Sequence, residues 1–454
     1  MMIVGLDCVP PEIVFEDMRG RLPTLAGLME RGRWGRLRSC EPPITVPAWS
    51  CMTSSKDPGT LGVYGFRNRA DHSYDGLSFA TSDKIREDRL WDILSRAGRH
   101  VVALGVPGTF PPRPVNGELV SCFLTPSTQS RYTYPEALRR EIADVVGDYM
   151  VDVPNYRTDE RDRLLRQIRE MTERRFALAR HLRDTRPWDF FMLVEMGPDR
   201  LHHGFWRFYD PGHPDYEPGN RYEQGFRDYY RELDAEVGRL IEPLDDDTAL
   251  LVVSDHGAQA MLGGVQVNEW LRQNGYLALV EEPAAAMPIG KAAIDWSRTR
   301  AWADGGYYCR IFLNVRGREP SGVVEQDAYE ALRDELIERL EALGDEQGRP
   351  IGTRVHRPQD LYRAVNGVAP DLICYFGDLT WRSIGSVGDG RVHVRENDTG
   401  PDDANHARDG IYVLTGPGVE PAAAVNAGIY DIAPTVLRLL GEAVPADMQG
   451  TSLL

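Results

Sequence analysis

The chain has 454 residues, which suffices for one large domain with an insertion or for two or three smaller domains. Hydrophobic residues at 42% and charged residues at 27% are typical of a soluble globular protein. The net charge of −17 disfavours polymeric nucleic acid and anionic membrane surfaces as partners.

Neither the amino terminus nor the cysteines suggest export. The first residues enter an apolar strand at once, without the charged region and cleavage site of a signal peptide. No apolar run approaches the roughly 20 residues that cross a bilayer. The six cysteines show no C-x-x-C spacing, so they predict no disulfide framework. We therefore expect a cytoplasmic protein that does not associate with membranes.

Short apolar runs alternate with helical segments along most of the chain. This alternation predicts an α/β fold, in which a mostly parallel sheet is flanked by helices. The predicted core strands are 1–7, 100–106, 190–195, 249–254 and 411–414. The predicted helices are 23–29, a helix beginning at Thr45, 89–99, helical segments within 134–183, 222–241 and 431–440.

The pattern changes after Gly257, and a Pro/Ala-rich stretch follows at 281–288. Beyond it the sequence predicts a strand at 309–315, a helix at 326–343 and a strand at 371–376. We interpret residues 289–400 as a smaller α+β cap, inserted into a catalytic core made of residues 1–288 and 401–454.

Metal-ligating side chains follow several of the predicted core strands. Ligands in open α/β sheets bind beyond the carboxyl ends of the strands, so these side chains are expected at one edge. Asp199 and His203 are four residues apart and would share one helix face, whereas His202 would point away. The candidate ligands are Asp7, Asp199, His203, Asp255, His256 and His406.

A cluster of carboxylates and imidazoles is costly to bury unless cations neutralise it. Mixed His/Asp ligation suits zinc, with manganese or iron as alternatives. Six ligands exceed one tetrahedral site, so they imply two divalent ions, which together can clamp a phosphoryl group. Thr45, at a predicted helix start, is either a nucleophile or only the N-cap of that helix.

Together these motifs resemble the alkaline phosphatase superfamily, and within it the type I phosphodiesterase/nucleotide pyrophosphatase branch. The segments that carry the resemblance are Gly5–Asp7, Thr45–Trp49, Asp199–His203, Ser254–Gly257, Asn405–His406 and 431–450. The resemblance implies an alkaline-phosphatase-like fold and Thr45 as the residue that takes the phosphoryl group. It also implies one metal on Asp199, His203 and His406, and a second on Asp7, Thr45, Asp255 and His256.

The sequence departs from this family pattern at the phosphate contact. Nucleotide pyrophosphatases carry asparagine three residues after the nucleophile, and here that residue is Ala48. Glycine and histidine of the following loop are replaced by Ser55 and Leu61. Candidate substitutes for the missing contact are Lys84, Arg310 or another arginine. The cap also supplies side chains suited to stacking on and hydrogen bonding with a leaving group, namely Tyr307, Tyr308, Arg310 and Asn314.

The resemblance predicts a two-metal phosphohydrolase that acts through a phospho-threonine intermediate. The substrate would be a small phosphodiester or phosphomonoester, with a weak preference for the diester. Two alternatives stay open, a phosphomutase and a non-catalytic binding protein on the same core. The leaving group and the oligomeric state do not follow from the sequence.

Overall fold

The computed structural model describes residues 1–454. Its strands are β1 Met2–Leu6, β2 Arg33–Arg38, β3 Arg67–Arg69, β4 Leu77–Phe79, β5 Val101–Leu104, β6 Gly117–Val120, β7 Thr133–Tyr134, β8 Phe190–Glu195, β9 Leu250–Val253, β10 Gly257–Ala260, β11 Gly263–Gln266, β12 Met287–Pro288, β13 Ala301–Asp304, β14 Cys309–Leu313, β15 Arg354–His356, β16 Leu372–Tyr375, β17 Trp381–Ile384, β18 Ser386–Val387, β19 His393–Val394, β20 Ala404–Ala407, β21 Asp409–Thr415 and β22 Ala427–Gly428. Its α-helices are α1 Pro23–Arg31, α2 Thr45–Ser54, α3 Pro58–Leu61, α4 Leu90–Arg96, α5 Leu138–Val146, α6 Arg161–Thr185, α7 Gly197–Tyr209, α8 Arg221–Ile241, α9 Val267–Gln273, α10 Tyr329–Glu341, α11 Pro358–Leu361 and α12 Ile432–Leu439.

A nine-stranded sheet organises the larger part of the molecule. Its order is β22-β2-β21-β9-β1-β8-β5-β6-β7, and the five strands from β9 to β6 run parallel. Strands β1, β5, β8 and β9 are wholly buried, as expected for apolar strands covered on both faces. Helices α6, α7 and α8 pack together, and α12 packs on α2. The predicted α/β fold with a mostly parallel, helix-flanked sheet is confirmed.

Strand β21 runs antiparallel to both of its neighbours, β9 and β2. Its amino-terminal end therefore lies at the edge where the parallel strands have their carboxyl ends. Just before it, β20 pairs with β10, and this pairing places His406 opposite Ala258. This reversal explains how a histidine that precedes a strand reaches the same edge as residues that follow strands.

A second, smaller hydrophobic core lies in the segment between β10 and β20. It contains the antiparallel sheet β13-β14-β16-β15, the three-stranded sheet β17-β11-β19 and the helices α9 and α10. Its buried residues run from Val265 to Val387. We call the part of the chain around this core the second lobe; its packing reaches back to Val265, ahead of the predicted boundary at 288/289. In other respects the division into a catalytic core (1–288 and 401–454) and a cap (289–400) stays a prediction.

None of the helices combines the length and the apolar character needed to cross a lipid bilayer.

Candidate active site at the strand-end edge

Thr45 is the first residue of helix α2, which follows an extended residue, Ile44. Its side chain makes no capping hydrogen bond, and its Oγ1 lies 3.3 Å from Nε2 of His256. The side chain is buried, yet it lines a cavity of about 380 Å³. The role of Thr45 as an N-cap is therefore wrong, because the hydroxyl faces the site and the helix begins without it.

Two carboxylates are held where β1 and β9 end. Asp7 accepts a 2.6 Å hydrogen bond from the indole Nε1 of Trp49 through Oδ2, and Asp255 accepts one from the Cys8 amide through Oδ1. In each carboxylate the other oxygen is buried and has no hydrogen-bond partner within the protein. Two orphaned oxygens therefore lie at this edge.

Helix α7 begins two residues after β8 and presents Asp199 and His203 one turn apart. The Nε2 atom of His203 lies 3.3 Å from Oδ1 of Asp199, and Nε2 of His406 lies 3.8 Å from the same oxygen. Oδ1 of Asp199 and Nε2 of His406 have no hydrogen-bond partner. The predicted placement of Asp199 and His203 on one helix face is thus observed. His202 points away and bonds the Tyr230 hydroxyl.

Each of the three histidines is oriented through its Nδ1 atom. Nδ1 of His203 lies 2.7 Å from Oδ1 of Asp402, that of His406 lies 2.9 Å from the Pro43 carbonyl, and that of His256 lies 3.1 Å from the Gly257 carbonyl. Acceptors at Nδ1 hold a hydrogen there, so Nε2 is the nitrogen through which each ring can bind a cation. All three Nε2 atoms face the orphaned carboxylate oxygens.

These residues fit a pair of divalent cations. Two ligand atoms about 2.1 Å from one tetrahedral ion are roughly 3.4 Å apart. The 3.3 Å separations between His203 and Asp199 and between His256 and Asp255 match that spacing. Ligand atoms of Asp199, His203 and His406 form one compact group, and those of Asp7, Asp199 and His256 form another. Cations would satisfy the orphaned atoms that nothing in the protein satisfies.

The electrostatics of the site also favour cations. Burial raises the pKa of the Asp7 carboxyl well above its usual value, and the Asp199 charge raises it further. Burial raises the pKa of Asp255 in the same way, with Asp7 as the next cause. Burial lowers the pKa of His256 to about 4 and lowers that of His406 well below its usual value. Both imidazoles are therefore neutral at neutral pH, which is the ligating form.

His203 behaves differently because it lies between two carboxylates. Burial opposes its charged form, but Asp402 and then Asp199 outweigh burial and raise its pKa to about 10. For Asp199, burial also opposes the charge, whereas His203 and Arg200 lower its pKa well below the usual value. In the metal-free protein these two residues are thus an ion pair. A cation at this position has to displace the proton from Nε2 of His203.

Arginines crowd the wall of the cavity. Arg200 binds both oxygens of Asp152 at 2.8 Å. It also lines the cavity and contacts Asp199, a candidate metal ligand. Arg157 and Arg382 both bind Asp402. Asp402 therefore connects the orientation of His203, a candidate metal ligand, to two cavity arginines.

The predicted substrate contacts do not all lie at this cavity. Arg310 lines it, with its guanidinium bound to Asp304 and to the Arg67 carbonyl. Lys84 is exposed and does not line it. Asn314 lies in the second lobe, where its amide donates to three backbone carbonyls. That saturation gives Asn314 a structural role and leaves no donor for substrate, which corrects the prediction.

Three residues of the site were missed from the sequence. Trp49 lies one helical turn after Thr45, Arg200 directly follows Asp199, and Asp402 precedes His406 by one four-residue interval, so proximity to a ligand was the available signal. Tyr307 was expected to contact a leaving group, and it lines the cavity. Its contacts with the histidines were not expected: it comes from the second lobe and stacks on His203 and His406, with ring centroids 4.9 and 4.4 Å apart.

Cys8 is a fully buried cysteine just after the end of β1. The structure holds it in a left-handed conformation with φ of 67°, directly after Asp7. Its thiol donates to the Gly257 carbonyl and lies within 4.8 Å of ligand atoms of His256 and His406. The residue is therefore part of the wall beneath the candidate metal centre as well as of the hydrophobic core.

The fold and the site together define an α/β protein with a candidate binuclear metal centre and an adjacent threonine hydroxyl. The family profile of type I phosphodiesterase / nucleotide pyrophosphatase matches residues 1–402. The chain belongs to that family, so the assignment made from the sequence motifs is confirmed. Membership supports phosphoric ester hydrolysis as the activity.

Solved structures show the same fold at low sequence identity. Human ectonucleotide pyrophosphatase / phosphodiesterase 5 is 15% identical, with a TM-score of 0.56, over 99% of this chain and 97% of that chain. The murine protein is 13% identical, with a TM-score of 0.55 and the same coverage. No curated protein sequence matches this chain.

Proposed function

We propose that the protein is a phosphodiesterase that holds two divalent cations, zinc by preference, and uses Thr45 as its nucleophile. The observation that carries the proposal is the convergence of four buried, unpartnered ligand atoms beside the Thr45 hydroxyl. These atoms are Oδ1 of Asp7, Oδ1 of Asp199, Oδ2 of Asp255 and Nε2 of His406. Mixed nitrogen and oxygen donors without a paired thiolate set suit zinc, with manganese as the alternative.

The ligands divide between two positions. Asp199, His203 and His406 would hold one cation, and Asp7, Asp255 and His256 the other, with Thr45 beside the second. Paired divalent cations, when bound, supply positive charge against the oxygens of a transferring phosphoryl group and lower the pKa of a neighbouring hydroxyl. The remaining steps rest on side chains of the chain itself.

Thr45 is placed to attack phosphorus from the start of a buried helix. Its Oγ1 forms a bond to phosphorus while the bond to the leaving alcohol breaks, and the alcohol takes up a proton. Water then attacks the phospho-threonine, which releases phosphate or its monoester and restores the hydroxyl. The first turn of α2 contributes amide N–H groups, which favour an anion at this position.

Arg200 is the candidate for the phosphate contact that Ala48 cannot make. Three of its donors are used by Asp152 and Asp199, and a guanidinium has five N–H groups, so two remain for substrate. The side chain lines the same cavity as Thr45 and is itself 5% exposed. A buried, planar cation at this position suits a phosphoryl oxygen.

Hydrolysis of bis-4-nitrophenyl phosphate before and after chelation tests the proposal. We expect zinc- or manganese-loaded protein to release 4-nitrophenol, the chelated protein to lose that activity, and reloading to restore it. The His72→Ala variant is the matched control, because His72 is a partly exposed histidine outside the site and its loss should change neither metal content nor rate. Turnover that persists in fully chelated protein would contradict the two-metal mechanism.

A further inference from the structure

A second chamber adjoins the cavity that contains Thr45. The two spaces share Arg67, Asp304, Gly305, Gly306, Arg382 and Thr399 as lining residues. The outer chamber has a volume of about 460 Å³, within the range of small-molecule pockets. A ligand with its phosphate beside Thr45 therefore has a continuous space into which an organic substituent can extend.

An aromatic wall lines the outer chamber. Tyr74 and Trp296 stack with ring centroids 3.6 Å apart, and Trp302 meets both rings edge-on at 5.5 and 5.1 Å. Tyr74 and Trp296 are only partly buried although each packs on the second core. Their uncovered surface faces the chamber, where an apolar group would remove it from water.

This wall is held rigidly. The Tyr74 hydroxyl donates to Oδ1 of Asn314 at 2.7 Å and accepts from the Ser321 amide at 3.0 Å. The amide of Asn314 is itself fixed by three backbone carbonyls. The wall is thus organised before any ligand arrives, which reduces the entropy lost on binding.

The hairpin β3–β4 adds exposed apolar side chains at the open side. Leu77 is 43% exposed and lines the outer chamber, and Phe79 is 52% exposed and lines the inner cavity. Contiguous exposed apolar surface can mark a ligand-binding groove. Strand β4 therefore borders both spaces, as does Arg67 of β3.

The outer chamber is close to neutral. Arg69 is paired with Glu319, Asp304 with Arg310, and Arg382 with Asp402. Asp398 also lines the chamber and lies 3.8 Å from Arg382, and the remaining two charged side chains, Arg67 and Asp75, have opposite signs. Such a surface offers no net attraction for a second phosphate or a carboxylate and favours an uncharged group.

We propose that the outer chamber binds an uncharged aromatic or other large apolar substituent of the phosphate ester. The inference rests on the proposed function for the position of the phosphate and deepens it by naming the substrate class. It narrows the expected phosphate ester to one that carries a bulky apolar arm. The arm packs on Trp296 and Leu77 while the phosphate lies beside Thr45.

Phosphodiesters with one common leaving group test this assignment. The 4-nitrophenyl diesters of methanol, phenol and 1-naphthol release the same 4-nitrophenol, so kcat/KM reports the second substituent. We expect the naphthyl ester to exceed the methyl ester by at least tenfold. The Thr399→Trp variant, at an exposed position that lines both spaces, should remove most of that preference, measured as the ratio of the naphthyl to the methyl kcat/KM.

Two controls separate the bulk of the new side chain from its other effects. Thr399→Val removes the hydroxyl that Arg382 contacts but keeps the space, so it should retain the naphthyl preference. Val280→Trp places the same indole at a residue that is 70% exposed and lines neither space, so it should behave as wild type. Equal rates for all three esters, or a preference that survives Thr399→Trp, would overturn the assignment.

Binding measurements distinguish this inference from the proposed catalysis. Tryptophan fluorescence can report the affinity of metal-loaded protein for diphenyl phosphate and for dimethyl phosphate without any turnover. If diphenyl phosphate binds more tightly than dimethyl phosphate, and Leu77→Ser weakens that binding, the proposed role of the chamber is supported even if no ester is hydrolysed. If the two anions bind with equal affinity while hydrolysis is normal, the proposed role of the chamber is overturned and the proposed function stands.

Discussion

The indole Nε1 of Trp49 donates a 2.6 Å hydrogen bond to Oδ2 of Asp7, and so connects the helix that begins at Thr45 to the end of β1. The close packing depends on Gly5, since a Cβ there would lie 2.5 Å from the Trp49 ring. The bond occupies one oxygen of Asp7 and directs the other, unpartnered oxygen into the candidate metal centre. A single side chain thus positions both a ligand and the helix that carries Thr45.

Replacing Trp49 with phenylalanine should therefore weaken metal binding. Phenylalanine keeps an aromatic ring, but Oδ2 of Asp7 loses its hydrogen-bond donor in a fully buried position. Loss of a hydrogen-bond partner of a metal ligand typically lowers metal affinity roughly 10- to 100-fold. Competition against a fluorescent chelator measures this change. Trp91→Phe is the matched control, because Trp91 is equally buried and its Nε1 has no partner. Equal affinities in the two variants would show that the hydrogen bond does not orient Asp7.

Thr45→Ala should reduce turnover by orders of magnitude, whereas Thr45→Ser should keep a substantial part of it. The reason is that only the hydroxyl can form the covalent bond to phosphorus. Acid quenching during turnover of a radiolabelled ester should trap phosphate on the wild-type protein and not on the alanine variant.

Thr53→Ala provides the control for this experiment. Thr53 lies in the same buried helix and bonds only backbone carbonyls. Loss of its hydroxyl tests the stability of α2 without touching the cavity. Labelled Thr45→Ala protein, or equal loss of rate in both variants, would return Thr45 to a purely structural role.

Asp402→Asn should weaken the cation position formed by Asp199, His203 and His406. The amide keeps the size of the side chain but removes the charge that orients His203 through the 2.7 Å bond to Nδ1. We expect elemental analysis after dialysis to find about one metal equivalent in the variant where wild type keeps two. Asp398→Asn is the control, since Asp398 is exposed, lies 3.8 Å from Arg382 and accepts a hydrogen bond from the Gly385 amide, but contacts no candidate metal ligand. Two retained equivalents would show that Asp402 does not support metal binding.

The fold and the clustering of the candidate ligands could be predicted because their signals are local. Apolar runs that end in Asp7 or in Asp255 and His256 mark strand ends, and the spacing of Asp199 and His203 marks one helix face. The position of His406 at the shared sheet edge was predicted, but the reasoning behind that prediction was incomplete. The sequence does not reveal that β21 is antiparallel, although that reversal brings His406 to the shared edge.

The residues around the ligands could not be predicted because their contacts are distant along the chain. Asp402 meets His203 across 199 positions, and Tyr307 reaches the histidines from the other lobe. Asn314 was assigned to substrate because amides bind ligands, but burial against backbone carbonyls decides its role. The predicted cytoplasmic location depends on composition alone and stays a prediction.

Metal binding should release protons, so affinity should rise with pH between about 6 and 8. The pKa of His203 is raised to about 10 in the metal-free protein, which means that its Nε2 carries a proton throughout this range. The raised pKa values of Asp7 and Asp255 act in the same direction, because each carboxyl has to lose any bound proton before it binds a cation. Titration calorimetry of metal-free protein with zinc, in two buffers of different ionisation enthalpy, gives the number of protons released. Asp402→Asn should lower that number, since loss of the carboxylate moves the pKa of His203 down towards its ordinary value of about 6.5. Heats that do not depend on the buffer would contradict a protonated His203.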